Sequence, residues 1–198
     1  MLDPEHPPEL KTTRWFNTKE PPTLVALKGR VVVLHAFQML CPGCVSHGLP
    51  QMRRIAERFR ADEVASIGLH TVFEHQDVMT PAALEAFIHE YRWPFPIGVD
   101  APNGMDLPLT MRAYEMRGTP TLLLFDRQGR LRRHYFGQVD DLRIGAEIMA
   151  LAIERADAPR EAAVAIEGVL SRVILEPEHH HQHHHHHEHD GHVHGDGC

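Results

Sequence analysis

Two thiols stand three residues apart in Cys41-Pro42-Gly43-Cys44. They follow an apolar, β-branched run, Val31 to Phe37, and precede a segment of helical periodicity with Leu49, Met52, Ile55, Ala56 and Phe59 on one face. A pair at the junction of a buried strand and a helix suits thiol–disulfide chemistry. The helix start offers free backbone N–H groups and a partial positive charge, and the thiolate is the nucleophile. Cys41 would then be the exposed attacking sulfur and Cys44, one turn on, the resolving one. Two other readings stand beside this one. The pair can be small buried hydrophobes, or it can ligate a metal with His47. The body has no second C-x-x-C or H-x-x-x-H to complete a closed zinc site. The third cysteine, Cys198, ends the chain, and three thiols in 198 residues do not make a disulfide-stapled scaffold.

Histidine is the second chemical signal. The chain has 18, and 11 of them lie in one stretch: His179, His180, His181, His183, His184, His185, His186, His187, His189, His192 and His194. Imidazoles at this density are candidate ligands for nickel, copper or zinc, with carboxylates or Cys198 as additional donors. An affinity tag is the competing reading. The run is broken by Gln182, Glu188, Asp190 and Gly191 and continues past them, which favours a native metal-binding tail. Residues 177–198 have almost nothing apolar to bury and are expected to be disordered.

The elements that would position the thiols form an α/β pattern. Strands are expected over Val31–Phe37, Val64–His70, Ile97–Val99, Thr121–Phe125 and Leu131–Gly137. Helices are expected over Pro42–Arg60, from Thr80 as cap with Pro81 at the first position, over Met111–Met116 and over Asp140–Ala156. Asp126-Arg127-Gln128-Gly129 reads as a hairpin turn. Strand–helix alternation closing in a hairpin and a helix implies a mixed sheet. The expected organisation is an extended proline-rich arm at 1–13, one domain at 14–158, an amphipathic helix at 159–176 and the histidine tail. Trp15-Phe16 would anchor the arm to the body.

Five segments in fixed order carry a family resemblance: Trp15-Phe16-Asn17-Thr18, Leu27 to Val33, Cys41-Pro42-Gly43-Cys44, Gly68-Leu69-His70-Thr71 and Gly118-Thr119-Pro120-Thr121. Over about residues 14–155 the chain resembles the TlpA-like, AhpC/TSA-type branch of the thioredoxin superfamily, including the thioredoxin-like domains of DipZ-type proteins. The resemblance implies a thioredoxin-like fold, a central mixed sheet flanked by helices, with 73–96 supplying an inserted helix. It implies a thiol–disulfide oxidoreductase, of protein disulfide reductase type, that needs no cofactor. Its partners would be protein or small-molecule disulfides and dithiols and an upstream thiol reductant. Pro120 matches the family's cis-proline facing the thiols, which exposes the Thr119 backbone to substrate. His35, six before Cys41, stands where thioredoxins carry a buried acid, so it is a candidate proton acceptor for Cys44, or else a core histidine. His70 reads as structural. Three departures are visible: Leu40 replaces an aromatic residue before the first cysteine, Pro-Gly replaces Gly-Pro between the cysteines, and Pro50 falls six rather than five residues after Cys44. A peroxiredoxin-like peroxidase is the weaker alternative, because the Pro-x-x-x-Thr-x-x-Cys loop is absent. A metal-handling protein with a thioredoxin-like body is the other.

Charge argues against nucleic acid. The net −7 is concentrated in the tail, where four acids and no Lys or Arg follow Pro177. The remaining body is near neutral and gives no basic footprint. The longest stretch without Asp, Glu, Lys or Arg, Val31–Met52, contains Pro42, Gly43, Gly48 and Pro50 and is no membrane helix. Met1-Leu2-Asp3-Pro4-Glu5 is not a signal peptide start, so a cytoplasmic location is expected.

Overall fold

The computed structural model describes the whole chain except Met105, Ala156, Arg160, 162–167, 170–171 and 174–198. Strands β1 (Thr12–Phe16), β2 (Val31–Phe37), β3 (Val64–His70), β4 (Ile97–Asp100), β5 (Thr121–Phe125) and β6 (Leu131–Phe136) form one sheet in the order β1-β4-β3-β2-β5-β6. Parallel pairing joins β2 to β3 and β3 to β4, while β1, β5 and β6 pair antiparallel. The sheet is therefore mixed, as the strand–helix alternation implied. All seven β2 residues are buried, because helices or loops cover both faces of this central strand.

Alternation along β2 divides the core. Val31, Val33 and Phe37 face the layer of α1 (Leu49–Arg58), α2 (Pro81–Tyr91) and α4 (Asp141–Ile153). Val32, Leu34 and Ala36 face the layer of Leu24, Leu27 and α3 (Leu109–Ala113). The helix starts are capped as their sequences imply. The Thr80 side chain accepts from Ala83 N at 3.2 Å with Pro81 opening α2, and Asp140 accepts from Leu142 N and Arg143 N. Asp100, buried at the end of β4, accepts from Thr71 Oγ1, Thr110 N and Met111 N and so fixes α3. Burial pushes its carboxyl above the usual carboxylate range, against the pull of those donors.

Two expectations change. The segment expected as a free arm up to residue 13 already joins the sheet at Thr12, where β1 pairs with β4. Ahead of it, Pro4 O accepts from Leu131 N at 2.7 Å, and the Glu9 carboxylate accepts from Leu24 N and Val25 N, each at 2.8 Å. The arm is held through its backbone, one acid and the two apolar side chains Leu2 and Leu10 packed on the core, so its low apolar content did not announce the contact. The helix expected from Pro42 does begin there, but over Cys44–Gly48 it is a π-helical turn before α1 continues it. Leu49 N donates to Cys44 O, the i→i+5 bond of a π turn, which takes up one additional residue. That residue accounts for the late position of Pro50, which sits in the first turn of α1, where its missing N–H costs little.

Of the helix expected over 159–176, Glu161, Gly168, Val169, Arg172 and Val173 are described and helical and Pro159 is described and not helical; the rest lies outside the described residues, as does the tail. No helix among the described residues is long and apolar enough to cross a membrane.

Candidate active site

Beyond the carboxyl end of β2 the chain turns through Gln38, Met39 and Leu40 and presents Cys41 half-buried, with Cys44 fully buried behind it. Both are free thiols. Cys44 N–H donates to Cys41 Sγ at 3.3 Å, a contact that strengthens when the sulfur is an anion. The Cys41 thiol donates to Thr119 O at 3.4 Å. The Thr119–Pro120 peptide is cis, as the resemblance implied. Pro120 packs on the cysteine loop: a Cβ on Gly43 would lie 3.4 Å from Pro120 Cδ. Thr119, Pro120 and both cysteines are thus brought together from segments nearly 80 residues apart.

The two sulfurs differ in their surroundings. Burial, followed by the neighbouring Cys41, pushes the Cys44 thiol up to about 12, while Gln38 N–H and the Thr119 hydroxyl act in the opposite direction. Cys44 therefore rests as a thiol, and those two donors are the groups able to steady it as a thiolate.

His35 and His70 lie under the site on the same sheet face, on either side of Phe37. Their ring centroids are 6.3 and 5.2 Å from the Phe37 ring. Among the described residues neither has a hydrogen-bond partner on either nitrogen. Burial holds His35 down to about 3, with His47 adding to the effect, and holds His70 down to about 4. His35 is accordingly a weak proton acceptor. Its visible work is steric: a Cβ on Gly48 would come within 2.3 Å of the His35 ring, so that ring fills the space a side chain at Gly48 would need. The π turn and the histidine fit each other only with glycine there.

These histidines make a pH prediction. An unfolded chain binds protons at histidine near pH 6.5, and the folded chain refuses them until about 4 and about 3. Stability is complete above 6.5 and falls as pH drops below it, by about 1.4 kcal/mol per pH unit for each histidine. The urea midpoint should therefore decline between pH 6.5 and 4, and His70→Leu should lessen that decline. A midpoint unchanged over this window in the unaltered protein would contradict the burial.

His47 is engaged with the segment before α4. Its Nε2 meets Val139 O at 3.0 Å, beside Gln51 Nε2, which donates to the same carbonyl and to Asp141 Oδ1. Arg54 completes this lock and, with Gln51, holds the Asp141 carboxyl below its usual range. Among the described residues no three His, Cys, Asp or Glu groups are placed to hold a metal ion, so Cys41, Cys44 and His47 do not form a metal site. The tail histidines lie outside the described residues.

A groove of about 360 Å³ opens at Cys41. The loop after β3 walls one side with Phe73, Glu74, His75 and Met79, and Gly118, Thr119 and Phe136 form the other. Gln38 Oε1 accepts from Phe73 N and Glu74 N and so holds that loop at the groove. The sequence reading assigned no role to Gln38 or Phe136. Their place, three residues before Cys41 and at the end of the hairpin's second strand, was visible, but the contacts that give them meaning are non-local.

The family model described as "AhpC/TSA family" matches residues 7–134. A search among curated proteins finds no match. Among solved structures, a thioredoxin-like superfamily protein is 55% identical, with TM-score 0.74, covering 77% of this chain and 97% of its own. A thiol-disulfide isomerase from Corynebacterium glutamicum is 48% identical, with TM-score 0.72, covering 74% of this chain and 96% of its own. StoA from Bacillus subtilis, 23% identical with TM-score 0.53 over 69% of this chain and 96% of its own, shares the fold. The matched span includes β1 to β5, both cysteines and the cis-proline, and on that basis the chain belongs to the AhpC/TSA family and has its thioredoxin-like fold.

Proposed function

We propose that the chain is a thiol–disulfide oxidoreductase in which Cys41 and Cys44 alternate between dithiol and disulfide. The observation that carries this reading is the asymmetry of the pair: Cys41 is reachable and receives the Cys44 N–H, while Cys44 is buried directly behind it. In the reducing direction the Cys41 thiolate attacks one sulfur of a substrate disulfide. The substrate S–S bond breaks, one substrate thiolate leaves, and a Cys41–substrate mixed disulfide forms. Cys44 loses its proton to the departing thiolate or to water, attacks Cys41 Sγ and releases the second substrate thiol. Two electrons pass to the substrate, and an upstream dithiol must return them. Thr119 offers its backbone beside the thiols for pairing with an extended substrate, and its hydroxyl faces Cys44.

The test uses pre-reduced protein and a protein disulfide such as that of insulin. One disulfide should be reduced per protein molecule, with mass spectrometry showing a Cys41–Cys44 disulfide in the product. No reduction, or a product in which Cys41 and Cys44 remain thiols, would reject the reading.

A separate role for the tail rests on sequence: 11 histidines within 16 positions offer more imidazoles than one ion can use. Titration with nickel, copper or zinc should show uptake by the full chain that is lost in a chain ending at Pro177. Uptake should fall as pH drops through about 6.5, because neutral imidazole is the ligand. Equal uptake by both chains would place the ions elsewhere.

A further inference from the structure

Phe136 lies at the end of β6 with 48% of its surface exposed, at the groove that contains Cys41. An aromatic ring in this position would ordinarily turn inward or move freely. Here it is fixed from two sides. The Arg117 guanidinium lies over its face, 5.1 Å from the centroid. Its edge packs on Gly118, where a Cβ would come within 2.9 Å of Phe136 Cε2. Arg117 and Gly118 immediately precede the Thr119–Pro120 segment that faces the thiols, so the ring is held next to the reacting sulfur. Leu40, 55% exposed, and Phe73 add apolar surface to the same groove.

Resting on the oxidoreductase reading, we infer that Phe136, held by Arg117 and Gly118, is the platform for a large apolar side chain next to the substrate cysteine. The substrate class is then an extended polypeptide disulfide with an aromatic or aliphatic residue beside the cysteine. The groove volume, about 360 Å³, lies at the small end of the roughly 300–1,000 Å³ of ligand pockets. It admits one side chain and its backbone rather than a folded surface. A small acidic disulfide such as oxidised glutathione has no side chain to fill it and would meet Glu74 on the opposite wall.

The test is a single-turnover measurement with pre-reduced protein and paired peptide disulfides that differ only in Phe or Gly beside the cysteine. An aromatic contact of about 0.5–1.5 kcal/mol predicts that the Phe peptide reacts about two to twelve times faster. Within Phe136→Ser that ratio should fall toward one. Gly118→Ala, which displaces the ring without removing it, should also lower the ratio. The ratio is read within each protein, so a general loss of rate does not imitate the effect. Equal rates for the two peptides in the unaltered protein overturn the platform while leaving the redox reading intact. A preference that survives Phe136→Ser also overturns it. Failure of the unaltered protein to reduce either peptide overturns the oxidoreductase reading and the platform with it.

Discussion

Cys44→Ser should accumulate mixed disulfides between Cys41 and its substrates, and Cys41→Ser should accumulate none. The expectation follows from position. Cys41 lines the groove, so a substrate sulfur can reach it, whereas Cys44 is wholly covered and its thiol is pushed up to about 12. Attack by Cys41 does not require Cys44, but release from Cys41 does. Without Cys44 the reaction stops after one bond exchange; without Cys41 it does not begin. Both variants should lose at least about a thousandfold in steady-state disulfide reduction, since a serine hydroxyl is a far weaker nucleophile than a thiolate at neutral pH. Non-reducing gels with a protein disulfide and mass mapping of the adducts distinguish the two. Adducts on Cys44 in Cys41→Ser would reverse the assignment.

Much of this site was legible because its strands have little freedom to be anything else. β2, β3 and β5 begin and end where the apolar runs do, since a run buried on both faces of a sheet leaves no polar periodicity to blur its ends. The cap and proline that open α2 are local signals and were equally readable. What escaped was non-local or a change of register. β1 pairs with a strand more than 80 residues later, and the prolines before it read as a loose arm. The π turn was signalled only by the one-residue displacement of Pro50, which without coordinates looked like a departure from the family pattern. The position of His35 implied a proton relay, but the burial that makes it a weak base depends on the close packing of Gly48 and Phe37. Phe136 read as one more residue of a hairpin strand, and only its contacts with Arg117 and Gly118 bring it to the groove.

Replacing Arg132 should be the most destabilising single change away from the thiols. Arg132 lies on β6 with a side chain only 1% exposed. Its two terminal nitrogens meet Glu154 at 2.8 and 2.9 Å, and Nη1 also meets Asp126 Oδ2 at 3.1 Å. Asp126 is further held by Arg130 Nε at 2.7 Å and by the backbone N–H groups of Gln128 and Arg130. The group ties the β5–β6 turn to the residue that follows α4. Arg132→Leu leaves Glu154 buried without the cation that meets both of its oxygens, a loss of about 3–5 kcal/mol for a broken buried pair. Arg132→Leu with Glu154→Leu removes both charges and should recover most of that loss, because Asp126 retains Arg130. Urea unfolding at pH 7 measures both variants, and a single variant within about 1 kcal/mol of the unaltered protein would contradict the argument. The register separates this group from the chemistry. Phe125, next to Asp126, pairs with Val32 at the amino end of β2, while Cys41 follows its carboxyl end. Seven strand residues at about 3.3 Å each put roughly 20 Å between them. Arg132→Leu, studied where it remains folded, should therefore reduce peptide disulfides at the rate of the unaltered protein.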